Sequence, residues 1–167
     1  MLGLGIPVVY RTAPIGDAPP APVKQVIYES DFTADADGWI NPTGTAGVSA
    51  PHTTGSGLTD TLQFTSAAPI GGSRLIYLDL SGFSVPSTET AYTVKFTFEG
   101  ANLSIRALAR VGDTFGSYTS IVRDNIPATY EEIITSTNPS ALMIQFDDGS
   151  NYTGTAYFKD IELFYYA

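Results

Sequence analysis

The sequence predicts an all-β protein, a sandwich of two antiparallel sheets led by an extended N-terminal arm. Three observations point there. Short apolar alternations recur roughly every 8 to 15 residues with turn signals between them, the spacing of a many-stranded sandwich. Only 15% of the 167 residues are charged, while 16 Gly, 11 Pro and 12% aromatic residues supply turns and sheet formers. No segment shows a convincing helical period, so a helix has no apolar face on which to pack.

In chain order, residues 1–22 stand apart. Pro7, Pro14, Pro19, Pro20 and Pro22 sit among small residues, with Arg11 and Asp17 the only charges. Such a composition favours extended or polyproline backbone and cannot build a core. The tip is apolar at Leu2, Leu4, Ile6, Val8 and Tyr10, which a purely solvating linker would not be. Those side chains are the expected partner-binding surface of a docking arm, which fully extended could reach roughly 70 Å at about 3.3 Å per residue.

Residues 23–167 are expected to form one domain, large enough to bury a core although the chain has no cysteine to staple it. Strands are read near 24–32, 46–50, 60–65, 74–80, 91–98, 102–111, 116–123, 129–136, 141–147 and 155–166. The clearest runs from Tyr92 to Phe98, where apolar residues hold every second position as a half-buried strand requires. Tyr92, Val94, Phe96 and Phe98 should therefore face the core. Leu103, Ile105, Ala107 and Ala109 alternate against Ser104, Arg106, Leu108 and Arg110, and Leu142, Ile144 and Phe146 against Met143, Gln145 and Asp147. Breakers at Glu99-Gly100, Gly112-Asp113, Asn138-Pro139 and Asp148-Gly149 close these runs. Asp35-Ala36-Asp37-Gly38 reads as a turn. It is not an EF-hand, because a loop counted from Asp31 has Ala36 where glycine is needed and Pro42 where the bidentate acid belongs.

Charge and composition exclude several partners. With 17 acidic and eight basic residues the net charge is -9, and the basic residues form no run; such a surface repels a phosphate backbone, so nucleic acid is excluded. No apolar stretch approaches the roughly 20 residues of a membrane-spanning helix. The opening Met1-Leu2-Gly3-Leu4-Gly5 lacks the positive n-region of a secretory signal, so use without export is expected. Catalysis is not expected either. His52 is the one histidine, no Gly-x-Ser-x-Gly motif occurs, and the neighbouring acids Glu131-Glu132 and Asp147-Asp148 would point to opposite faces of their strands.

Two ends of the domain carry a resemblance. Tyr28-Glu29-Ser30-Asp31-Phe32 running into Asp37-Gly38-Trp39, and Ala156-Tyr157-Phe158-Lys159-Asp160-Ile161-Glu162-Leu163, resemble the opening and closing strands of jelly-roll carbohydrate-binding modules attached to xylanases and cellulases. The middle, from Thr90 to Phe96, Ser104 to Arg106 and Leu142 to Phe146, is similar to that family as well. The resemblance implies a jelly-roll sandwich over about residues 24 to 165. It also implies a groove where aromatic faces meet pyranose rings and polar groups fix the hydroxyls. Positions for such glycan binding are Arg106, Tyr118, Gln145 and Tyr157, with Arg110 and Met143 beside them; Trp39 either offers a ring face or plugs the core. Members of the family hold one structural calcium ion between first and last strands. Glu29, Asp31 and Asp160 fall on the matching positions, although Lys159 replaces the first acid of the family's closing pair. Alternatively these acids cap turns or stay solvated.

The glycine-rich apolar start ahead of one β-domain also resembles small virion proteins of tailed bacteriophages. The expected function is therefore a non-enzymatic structural or interaction protein. Its expected place is the virion, as an accessory decoration, head or tail surface component assembled in the host cytoplasm and anchored to capsid or tail proteins by the arm. The alternative is a glycan-binding module that holds a polysaccharide in a sandwich groove. A second copy of the chain is a further partner that open sheet edges would admit.

Overall fold

The computed structural model describes residues 19–41, 46–66, 74–89, 91–100, 103–111, 114–115, 121–123, 127–147 and 154–167. These residues form eleven strands: β1 (Lys24–Glu29), β2 (Ala46–His52), β3 (Thr61–Ser66), β4 (Arg74–Asp79), β5 (Ala91–Glu99), β6 (Leu103–Val111), β7 (Thr114–Phe115), β8 (Ile121–Arg123), β9 (Ala128–Thr135), β10 (Ala141–Asp147) and β11 (Gly154–Tyr166). The six-stranded sheet runs β2-β3-β11-β5-β9, with β1 also on β11; the five-stranded sheet runs β4-β10-β6-β7, with β8 also on β6. Every pairing is antiparallel. The all-β jelly-roll sandwich read from the sequence is thus the observed architecture.

One strand expectation needs correction. The first strand ends at Glu29 and not at residue 32, because the Asp31 carboxylate accepts the Thr33 amide at 3.1 Å and turns the backbone there. Of the strand expected over 116–123, residues 116–120 lie outside the described residues; β8 pairs with one end of β6, Arg123 opposite Leu103, and β7 with the other, Phe115 opposite Arg110.

β11 organises the larger sheet. Its thirteen residues pair with β5 on one side, and with β3 and then β1 on the other. A bulge between Lys159 and Glu162 lets it change partners, with Asp160 held at φ 52°. Val23 and Ala167 exchange backbone hydrogen bonds at 2.7 and 3.0 Å, which fastens the start of β1 to the end of the chain.

The core lies between the sheets. Tyr92, Val94, Phe96 and Phe98 are all buried in it, as the alternation requires, and Leu142 and Ile144 meet them from the other sheet. Phe158 packs at a tilt 5.2 Å from Phe98 and 6.0 Å from Phe96, centroid to centroid. Fully burying a side chain of this size contributes about 1.5–3 kcal/mol, and each aromatic pair adds about 0.5–1.5 kcal/mol. Gly100 is needed at its position, since a Cβ there would meet the Phe98 ring at 2.6 Å.

The segment after β1 forms the turn expected at Asp35–Gly38. Asp37 (φ 46°) and Gly38 (φ 79°) both adopt the left-handed region, the Trp39 amide donates to the Ala36 carbonyl at 2.8 Å, and the Asp35 carboxylate accepts the Asp37 amide at 2.7 Å. The turn drops Trp39 into the core and lays Ile40 against β4. Ile40 and Tyr77 exchange two backbone hydrogen bonds of 2.9 Å each, covering that edge of the five-stranded sheet.

Candidate functional site

The pleat gives each sheet one face in the core and one facing outward, and the two outer faces differ in build. On the five-stranded sheet the register sets three rows: Asp79, Ala141 and Arg110; Tyr77, Met143 and Leu108; Leu75, Gln145 and Arg106. Tyr77, out of phase with buried Ile76 and Leu78, packs on Ala141 and Met143 from outside the main core. Met143, expected as an outward contact, does point away from the main core but is only 1% exposed in this small cluster. Tyr77, opposite it, and Gln145, two residues along the same strand, remain half-buried. Exposed Asp79 borders them, its carboxylate accepting the Ser81 amide at 2.8 Å and held below the usual carboxylate range by that bond. The described part of this face is therefore an aromatic-apolar centre flanked by an amide and a carboxylate. The side chains of Arg106 and Arg110, and all of Tyr118, lie outside the described residues.

On the six-stranded sheet, one row of outer polar groups is bonded within the protein. Ser49, Gln63, Tyr157 and Glu99 form one row across four strands. Gln63 Nε2 donates to the Tyr157 hydroxyl at 3.2 Å. Glu99 is 7% exposed because the loop after β2 folds over it: Ser56 Oγ donates to Glu99 Oε2 and lies 2.7 Å from Thr54 Oγ1. Tyr157 and Gln145, grouped in one groove by the sequence reading, are thus on opposite outer faces of the sandwich. A single ligand cannot bridge them through the core.

Of its two expected roles, Trp39 takes the one in the core and not the one in the glycan groove. It is 2% exposed and its indole N–H donates to the Tyr28 hydroxyl at 2.8 Å, which in turn donates to Asp37 Oδ2 at 2.6 Å. Burial, reinforced by the Asp37 carboxylate, pushes the Tyr28 phenol well above its ordinary value. Trp39 is a core side chain and offers no free ring face.

The three expected calcium ligands do not converge. Glu29, Asp160 and Glu162 line a cavity of about 310 Å³ with Ser30, Lys95, Thr97 and Thr129, while Asp31, Asp60 and Asp160 line a second of about 190 Å³ with Lys159. Asp31 is exposed and committed to the Thr33 hydroxyl at 2.7 Å, which keeps its carboxyl below the usual range. Lys159 Nζ donates to the Thr59 carbonyl at 2.9 Å, holding a positive charge beside the second cavity. Among the described residues no three acids, histidines or cysteines are grouped closely enough to hold a metal ion. The set does not fit a calcium ion, which wants six to eight oxygens in one shell.

Sequence reasoning missed Tyr77, although the alternation Ile76-Tyr77-Leu78 marks it as the outward residue of its strand. His52, the one histidine, closes edge strand β2 with Nε2 2.9 Å from Ser49 Oγ. Leu2, Leu4, Ile6, Val8 and Tyr10 lie outside the described residues.

No family model matches the chain, and no curated protein matches it. Solved structures do. The apo form of CBM1 of BiXyn10A superposes with a TM-score of 0.61 at 13% identity, over 84% of this chain and 99% of that one. A mutant of a family 29 carbohydrate-binding module gives 0.60 at 12% identity, over 86% and 92%, and a CBM4 structure 0.55 at 20%, over 78% and 95%. Another family 29 module mutant, solved with mannohexaose, gives 0.57 at 14% identity, over 86% and 92%. The chain also matches an arabinose-bound GH51 α-L-arabinofuranosidase with a TM-score of 0.60 at 13% identity, spanning 86% of itself but only 26% of that enzyme. What the chain shares with these proteins is the jelly-roll sandwich of carbohydrate-binding modules.

Proposed function

We propose that this chain is a non-catalytic glycan-binding module whose ligand lies on the outer face of the five-stranded sheet. The observation that carries the reading is Tyr77, a half-exposed ring on an apolar floor of Ala141 and Met143, with Gln145 and Asp79 in the adjoining rows. An apolar patch meets the C–H face of a pyranose, and neighbouring amide and carboxylate groups pair with its hydroxyls. In the Tyr157 row of the other outer face, by contrast, the tyrosine is bonded to Gln63 and the glutamate lies beneath a loop. The solved modules, one of them holding mannohexaose, lend support through shared fold.

Calorimetric titration with mannohexaose, xylohexaose and cellohexaose tests the proposal. Binding to at least one is expected, weakened about fivefold in Gln145→Ala with an unchanged melting temperature, the effect of losing one ligand hydrogen bond worth about 1 kcal/mol. Absence of binding to all three, or Gln145→Ala binding as tightly as the native chain, would contradict it. The phage-particle reading, with residues 1–22 as anchor and the virion as location, draws its support from the sequence of that arm alone.

A further inference from the structure

The outer face of the six-stranded sheet changes character toward one end. Beyond the row Glu29, Glu162, Lys95 and Glu131 comes the row Val26, Phe164, Thr93 and Ile133, and then Tyr166 opposite Lys24. Ile133 is 67% exposed, Tyr166 54% and Val26 51%, with Val23 at the rim 60%. Four of the six large apolar side chains that are exposed among the described residues therefore gather at this end. Phe164 between them is sheltered beneath Lys24, whose Nζ lies 4.1 Å over the ring, and against the edge of Tyr166 at 5.6 Å. Exposed apolar side chains grouped at one end of a sheet in this way mark a contact site.

We infer that this end of the sheet is the docking site of the chain's own residues 2–10. The polypeptide enters the described structure at Pro19 and reaches Val23 at the rim of the patch, so the arm is tethered where the apolar surface begins. Leu2, Leu4, Ile6, Val8 and Tyr10 alternate with Gly3, Gly5, Pro7 and Val9, which gives an extended segment one face of large apolar side chains. Nine extended residues span roughly 30 Å. The row from Val26 to Ile133 crosses three strand spacings, about 14 Å. Residues 11–18 are long enough to carry the tip over it, and a tether of this length holds the tip at an effective concentration of order mM. Charge agrees: the one charged residue among 1–16 is Arg11, and the adjoining row carries three carboxylates to one lysine. A docked arm is not free to anchor the sandwich elsewhere.

The chain has no cysteine, so disulfide trapping in the full chain is clean. Ile6→Cys with Ile133→Cys is oxidised beside Ile6→Cys with Ser81→Cys, whose second site is an exposed turn at the end of β4. The inference expects a monomeric cross-link to Ile133 that forms at least tenfold faster than the one to Ser81. Equal rates, no cross-link, or a disulfide-linked dimer as the main product would overturn it, the last by showing a second copy as occupant. Hydrogen exchange gives an independent reading. Amides of residues 2–10 should be protected in the native chain and lose that protection in Ile133→Asp; exchange at unstructured rates in the native chain would overturn the inference as well.

Discussion

The two outer faces of this sandwich are built on the same pleat and use it differently. The six-stranded face bonds its polar side chains to one another, through Gln63 and Tyr157, Thr97 and Thr129 at 3.0 Å, and Lys24 and Glu162 at 2.5 Å. On the five-stranded face Tyr77 and Gln145 stay half-exposed around an apolar floor. The difference teaches that an aromatic residue and polar neighbours do not by themselves make a ligand surface: Tyr157 has both and is bonded to a neighbour. Substitutions on the first face should alter stability and leave binding alone, and substitutions on the second should do the reverse.

The largest expected effect comes from neither face but from the residue once grouped with both. Trp39→Ala should cost about 3–5 kcal/mol, the range for deleting a buried aromatic side chain. Urea denaturation measures it, and a loss within about 0.5 kcal/mol of zero would place Trp39 at the surface. Tyr28→Phe should cost about 1–3 kcal/mol, because it removes the acceptor for the buried Trp39 indole and a donor to Asp37. The raised phenol pKa has a sign that the same experiment reads. Below the ordinary value of 10.0 its contribution is fully present, and it is lost as pH rises beyond that value, so the native chain should weaken in alkali more steeply than Tyr28→Phe.

Glu99→Ala sharpens the comparison on the six-stranded face. It removes the carboxylate that accepts from the exposed Ser56 hydroxyl and should cost about 1 kcal/mol, the net worth of one hydrogen bond. Glycan affinity should not change; a fall in affinity with little change in melting temperature would move the ligand to this face. The smallest effect is expected from the exposed acids Asp31 and Asp79. Both carboxyls are held below their ordinary value of 3.8, so what they contribute is present above that pH and lost as pH falls through the lower folded values. Asp31→Asn should flatten only this acid limb of the melting profile, identically with chelator or added calcium. A native melting temperature that rises with calcium would show that the acids do gather around an ion.

The strands were legible in the sequence because their signal is local. Alternation from Tyr92 to Phe98 fixes the buried side of β5, and Asp37-Gly38 announces the turn that delivers Trp39. Sheet membership was not legible. Nothing near Tyr157 or Gln145 says that β11 lies in one sheet and β10 in the other, since strand order is set by pairings across long stretches of chain. Two residues of one apparent polar set thus came to opposite sides. The burial of Glu99 was hidden for a similar reason: Ser56 is 43 positions away in sequence. The family resemblance put Glu29, Asp31 and Asp160 in one shell, but the turn that Asp31 makes with Thr33 draws it to a neighbouring cavity.

The central claim is that the five-stranded face binds the ligand, and a matched pair of tyrosine variants tests it most directly. Tyr77→Ala and Tyr157→Ala each remove one half-buried ring, one from each outer face. Titrated with the oligosaccharide that the native chain binds best, Tyr77→Ala should lose about tenfold or more in affinity, as expected for a stacked ring worth about 1.4 kcal/mol. Tyr157→Ala should bind like the native chain. The opposite pattern, with affinity lost at Tyr157 and kept at Tyr77, would contradict the account and put the glycan on the six-stranded sheet.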